Sequence, residues 1–325
     1  MTGRARGELV LLAMLVAGLV VWLLRPAPVR TPAPTPLSSV LEALPETAAV
    51  VLTLNADALR QTELGRRLLS RGTASHGAGS LTQDCARDAV DQVREVGLFI
   101  PKLKGDEAMS FGLVARGDFR ASVVMACLTL AMERTGKAPI AAPLGGFQSV
   151  RARERTPDVG EYAIRDDGLL LLADSHLLRD LVDTAEGRLG SVRRDALHSG
   201  LRRAVGAGAI VVSAAIPQGF LASATDLPFT EASPLDRVRA AALRVNFVPR
   251  VAATVVLGCE TEPDARAVAD VLAELRKELS PELTRSLGDD VLRDAAITAR
   301  GRLVFVELGL DEARAARVAA ALLSE

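Results

Sequence analysis

Ala163-Ile164-Arg165-Asp166-Asp167-Gly168, running on through Leu169 to Asp174, aligns without a gap on Ala296 through Glu307. Both stretches read as strand, polar turn and strand, with Gly168 and Gly301 supplying the positive φ that tight hairpin turns need. Two hairpins of one make, in different halves of the chain, predict adjacent antiparallel strands and a repeated unit. Two further matches lie upstream in the same order. Ala49 to Leu54 returns as Ala209 to Ala214. Asp91-Gln92-Val93-Arg94, before the strand Val96 to Ile100, returns as Asp236-Arg237-Val238-Arg239 before Ala241 to Val245.

The expected unit is strand, helix, two strands, helix, hairpin, helix, as a first repeat over 40–200 and a second over 201–325. One irregular α+β domain is the alternative. The central pair is Val96 to Ile100 with Met109 to Ala115 in the first repeat, and Leu243 to Phe247 with Ala252 to Leu257 in the second. The first repeat carries the looser connections, Arg71 to Gln83 and Gly136 to Gly146, both rich in Gly, Ser or Pro. Asp118, Ser175, Thr261 and Asp311 each precede a helical pattern and are expected N-caps. After Thr261, the residues Ala265, Val268, Val271, Leu272, Leu275 and Leu279 form an apolar stripe at helical spacing, which packs on a sheet. Adjacent antiparallel strands with helices on one face make the class α+β rather than doubly wound.

Outside the repeats, Leu9 to Leu24 is an unbroken apolar run between Arg4, Arg6 and Arg25. At about 1.5 Å per residue it falls slightly short of a bilayer core, a deficit the snorkelling Arg25 makes up. A cleaved signal is the competing reading, and a cytosolic helix a third. The run ends in Val21-Trp22-Leu23-Leu24 before Arg25-Pro26, a poor cleavage site, and Trp22 suits an interfacial anchor. Residues 1–25 are therefore expected to be a transmembrane signal anchor in the inner (cytoplasmic) membrane, spanning through 9–24. The short basic N-terminus stays inside, placing the C-terminal residues in the periplasm or cell exterior. Residues 26–39, with Pro26, Pro28, Pro32, Pro34 and Pro36, form a stiff spacer.

Composition narrows the function classes. A net charge of −1 removes the electrostatic case for nucleic acid, and 3% aromatic residues leave few stacking platforms. His76, His176 and His198 are not spaced as metal ligands. Ser175-His176 lacks a nucleophile elbow, and Gly206-Ala207-Gly208 precedes a strand where a dinucleotide loop would follow one. Asp166-Asp167 and Asp289-Asp290 are turn doublets, and Arg116-Gly117-Asp118 lies at a strand-to-helix turn. No catalytic, cofactor-binding or metal-binding residue is assigned and no cofactor is expected. The chain has three cysteines. In an oxidising compartment Cys85 and Cys127, both of the first repeat, are the expected disulfide pair, with three buried inert thiols as the alternative.

The anchor, Pro spacer, repeated strand–helix units and Cys pair resemble membrane-anchored, internally duplicated α+β envelope proteins of GC-rich Gram-negative bacteria. That resemblance implies no activity and transfers no functional residue. Two functions stay open. One is a non-catalytic envelope module that binds a protein, peptide or lipid through a sheet face or a groove between repeats. The other is a hydrolase or transferase whose active site assembles only in three dimensions.

Overall fold

The computed structural model describes residues 36–74, 91–102, 110–154, 160–218, 220, 234–287, 292–311, 313–315 and 317. The chain divides into Met1–Thr35 and Pro36–Glu325. The expected membrane span over 9–24 lies outside the described residues. Among those described, no helix is long and apolar enough to cross a membrane.

Twelve strands form one antiparallel sheet. The first half contributes β1 (Ala48–Asn55), β2 (Val93–Pro101), β3 (Gly112–Gly117), β4 (Pro139–Leu144), β5 (Phe147–Ala152), β6 (Glu161–Arg165) and β7 (Leu169–Ala173). The second contributes β8 (Ile210–Ala215), β9 (Val238–Asn246), β10 (Val251–Cys259), β11 (Ala296–Arg300) and β12 (Leu303–Leu310). Their spatial order is β11-β12-β10-β9-β8-β1-β2-β3-β7-β6-β5-β4. Read outward from the central β1–β8 pair, both sides follow one plan: three strands in chain order, then the second and first strands of a hairpin. Residues 40–200 and 201–325 thus share one sheet, and both fall in one compact unit.

The first half adds a hairpin, β4–β5, at its outer end. Gly136 to Gly146, a loose connection by its Gly and Pro content, contains β4, with Pro139 and Pro143 in it. An edge strand tolerates proline wherever the missing N–H would have faced away from the sheet, and β4 is such an edge. The gapless hairpin match also fails at its turns. Arg165 pairs Leu169 across three residues, with Gly168 last at φ 78°. Arg300 pairs Leu303 across two, with Gly301 first at φ 59°. The longer turn fits a bulged three-residue loop and the shorter a two-residue turn with Gly leading.

Among the described residues the helices are α1 (Ala56–Arg60), α2 (Glu63–Ala74), α3 (Ala121–Arg134), α4 (Ser175–Ala185), α5 (Ala196–Val205) and α6 (Glu262–Leu287), with 3-10 turns at Val40–Glu42 and Pro234–Arg237. Contrary to the expected one-sided packing, they cover both faces of the sheet. On the first face, α4 and the Val40 turn bury Val51, Phe99, Ala163 and Leu171, and α5 buries Val211, Ala242 and Val256. On the second, α3 packs on Ile164 and Leu170, while the stripe of α6 packs on Leu257, Ile297 and Val304.

Two expected caps hold. Thr261 Oγ1 accepts from the Asp264 amide at 3.3 Å, and Asp311 Oδ1 from the Arg314 amide at 2.8 Å. Asp118 is instead bound by Arg94, and α3 begins three residues beyond it, at Ala121 after Arg120. Ser175 lies inside α4, and its hydroxyl donates to Glu161.

Candidate functional site

Where the halves meet, four polar side chains lie on the first face of the sheet. Register places Thr53 opposite Val211 and Val51 opposite Ser213. From α5, Asp195 accepts the His198 amide at 2.8 Å and thereby caps the helix that carries His198 and Arg202. His198 Nδ1 lies 2.9 Å from Ser213 Oγ, and its Nε2 lies 3.1 Å from the Ala48 carbonyl. One Arg202 nitrogen donates to Ser213 Oγ at 3.3 Å, and the other to Thr53 Oγ1.

An arginine only donates and a carbonyl only accepts, so this chain has one consistent polarity. Arg202 donates to Ser213, Ser213 to His198 Nδ1, and His198 Nε2–H to Ala48. Arg202 thereby forks across the first strands of both halves. Burial pushes its guanidinium down to about 10, against the pull of the Glu95 carboxylate. Ser213 is 0% and His198 1% exposed. A serine closed off from solvent, hydrogen-bonded to the helix above and the neighbouring arginine, is placed to knit strands.

On the second face, the middle of the same four central strands presents aliphatic side chains. Val50, Leu52, Leu98 and Ile100 of β1 and β2 continue into Val212, Ala214, Ala241 and Leu243 of β8 and β9 through the paired registers. All are half-buried, whereas their first-face neighbours Val51, Phe99, Val211 and Ala242 are buried. The flanking helices dock further out, α3 against β4, β5 and β6, and α6 against β10, β11 and β12. A band of aliphatic side chains therefore crosses the sheet between equivalent helices of the two halves. Such a surface complements acyl chains or apolar peptide side chains.

The expected disulfide residues divide. Cys85 lies outside the described residues, while Cys127 sits half-buried on α3, between exposed Val123 and Leu130. Cys259, at the end of β10, is a free buried thiol, pushed up by its burial and by the charge of Asp264. His76 and Asp289-Asp290 lie outside the described residues. Among those described, no group of three His, Cys, Asp or Glu side chains converges as a metal site.

Asp167 takes a bidentate hydrogen bond from Arg165, at 2.8 and 2.7 Å. Arg165 is itself buried, stacks 5.1 Å from the Phe147 ring, and keeps one buried nitrogen without a partner among the described residues. The Arg116-Gly117-Asp118 tripeptide is structural. Arg116 donates to the Ser38 carbonyl, and the Gly117 amide donates to the carbonyl of Gly168. Sequence reasoning missed the role of His198 because its partners lie 15 and 150 residues away. The aliphatic band had a signal, since Val50-Val51-Leu52 and Ile210-Val211-Val212 are apolar at consecutive positions, which marks strands buried on both faces.

No family model matches the chain, and no curated protein matches it. Among solved structures, the chain is similar to one titled "Structure of crystal form I of TP0453". The match has 13% sequence identity and a TM-score of 0.48, over 90% of this chain and 98% of that one.

Proposed function

We propose that this protein is a non-catalytic module of the cell envelope, tethered to the cytoplasmic membrane through residues 9–24, with its sheet on the periplasmic or external side. In this reading it holds a protein, peptide or lipid against the aliphatic band on the second face. The half-burial of Val50, Leu52, Leu98, Ile100, Val212 and Leu243 carries the proposal. Eight apolar side chains in register, neither sealed into a core nor fully open, form a surface whose burial by a ligand is favourable at about 25 cal/mol per Å². The experiment is a benzophenone side chain placed at Leu52 or Leu243 in the full-length protein and irradiated in cells. An adduct at these positions, missing from the same probe at exposed Glu154, is expected. Equal labelling at all three sites, or none, refutes the proposal.

The alternative of a hydrolase or transferase has one pair to build on, His198 and Ser213. Its test is a fluorophosphonate probe on the intact protein. Labelling of Ser213 would favour the enzyme, and the complete burial of its hydroxyl predicts none.

A further inference from the structure

The two edges of the sheet are finished differently. At the β4 edge, Leu144 pairs Phe147 across a two-residue turn, so the backbone groups of Leu144, Ala142 and Ile140 face β5. The hydrogen bond from the Arg153 amide to the Ala138 carbonyl keeps the same parity. The positions facing outward are 139, 141 and 143, and two of these three are Pro139 and Pro143. With no N–H to offer there, the edge is closed to a further strand.

At the β11 edge, Arg300 pairs Leu303 across a two-residue turn, so Arg300, Thr298 and Ala296 bond β12. The Cys259 amide donates to the Arg302 carbonyl, confirming that even-numbered residues of this segment face β10 and odd-numbered ones β11. The outward positions of β11 are therefore Ile297 and Ala299, both with an N–H. Ala296, Thr298, Ala299 and Arg300 are exposed.

We propose that β11 pairs with β11 of a second copy of this chain, in antiparallel register about Thr298. A two-fold axis at Thr298 sets Ile297 of each copy opposite Ala299 of the other, so that every outward N–H and C=O of both strands is used. Thr298 then faces Thr298 as a non-hydrogen-bonded pair. Beyond the strands, Asp294 of each copy comes beside Arg302 of the other. Both are exposed, and among the described residues Asp294 has only the 3.4 Å ion pair to Arg314 on its own chain. Use of every outward backbone group of β11 thus selects one register, the charges agree with it, and that register is self-complementary, as a two-fold interface requires.

The test is Thr298→Cys in the full-length chain, oxidised in cells. Non-hydrogen-bonded partners have Cα atoms about 4.5 Å apart, within reach of a disulfide. A reducible species of twice the chain mass is expected, and its absence overturns the proposal. Adding Ala299→Pro removes an outward N–H without touching the β12 ladder, and should reduce the species to background while thermal unfolding stays unchanged. Asp294→Arg should lower the cross-linked fraction several-fold, and Asp294→Arg with Arg302→Asp should restore it. Persistence with Ala299→Pro, no rescue by the double reversal, or capture of a different protein in place of the second copy would each overturn it.

Discussion

Ser213 is the residue on which the central seam turns. Its hydroxyl donates to His198 and accepts from Arg202, so Ser213→Ala leaves a buried imidazole nitrogen without a donor and a buried guanidinium with one acceptor fewer. Leaving such groups unsatisfied costs about 1–3 kcal/mol, and that loss of unfolding free energy is expected in urea titration. His198→Ala should cost more, since it adds a cavity beneath Ala48. The double variant should fall short of the sum of the singles, because the two side chains are each other's partner. Strict additivity would show that the contact contributes nothing. Cys259 gives a second residue-level expectation. Its thiol is pushed up by burial first and by Asp264 second, so less thiolate is present at any given pH. Alkylation at pH 8 should lag well behind that of the same thiol in urea, and equal rates would contradict the burial. An unpaired Cys259 was already the expectation from sequence, whereas the His198–Ser213–Arg202 contacts were not legible in the chain. A lone His in an Arg-rich stretch carries no mark of partners that only the sheet register brings near.

Among the elements, the hairpins show both what the pattern encoded and where it ran out. Alternation and a turn glycine were enough to place β6–β7 and β11–β12. Turn length was not, because Asp166-Asp167-Gly168 and Ala299-Arg300-Gly301 look alike until the registers are known. The difference has a measurable consequence. At Gly168 the backbone has φ 78°, and a Cβ would collide with the Gly117 carbonyl oxygen, while at Gly301 φ is 59° in open space. Gly168→Ala should therefore cost about 2 kcal/mol or more, and Gly301→Ala about 1 kcal/mol. Gly301→Asn should be nearly neutral, since asparagine tolerates the left-handed region. Comparable losses for the two alanine variants would refute the distinction. The caps show the same limit. Thr261 and Asp311 cap as their spacing implied, whereas Asp118 and Ser175 were claimed by Arg94 and Glu161, partners their local sequence cannot reveal. Pro139 and Pro143 hid a strand by obeying the edge rule, which is visible only once β4 is known to be an edge.

For the molecule as a whole, the strand order is matched on either side of β1–β8, while the first half carries more chain between its strands. The proposed Cys85–Cys127 bond would constrain that half, and it ties compartment to stability, since it forms only if the sheet lies on the oxidising side of the membrane. A reporter active only in the periplasm, fused after Glu325, should then be functional, and a cytoplasm-active one silent. Cys127 sits on α3, which packs on Ile164 and Leu170 of the β6–β7 hairpin. Cross-linking it to Cys85 closes a loop of about 40 residues, which the chain-entropy model values at about 3–4 kcal/mol. That loop contains β2 and β3, the strands joining β1 to the hairpin, so its loss should loosen the first half more than the second. Cys85→Ser and Cys127→Ser should each lower the melting temperature, with the double variant no worse than either, while Cys259→Ser should matter little because that thiol is unpaired. Hydrogen exchange should report faster opening of β2, β3 and α3 than of β9, β10 and α6 in the serine variants. Intact-mass analysis of unreduced, alkylated protein from the envelope decides the bond itself. An alkylated Cys85 there would refute the pairing and leave the first half to be held by packing alone.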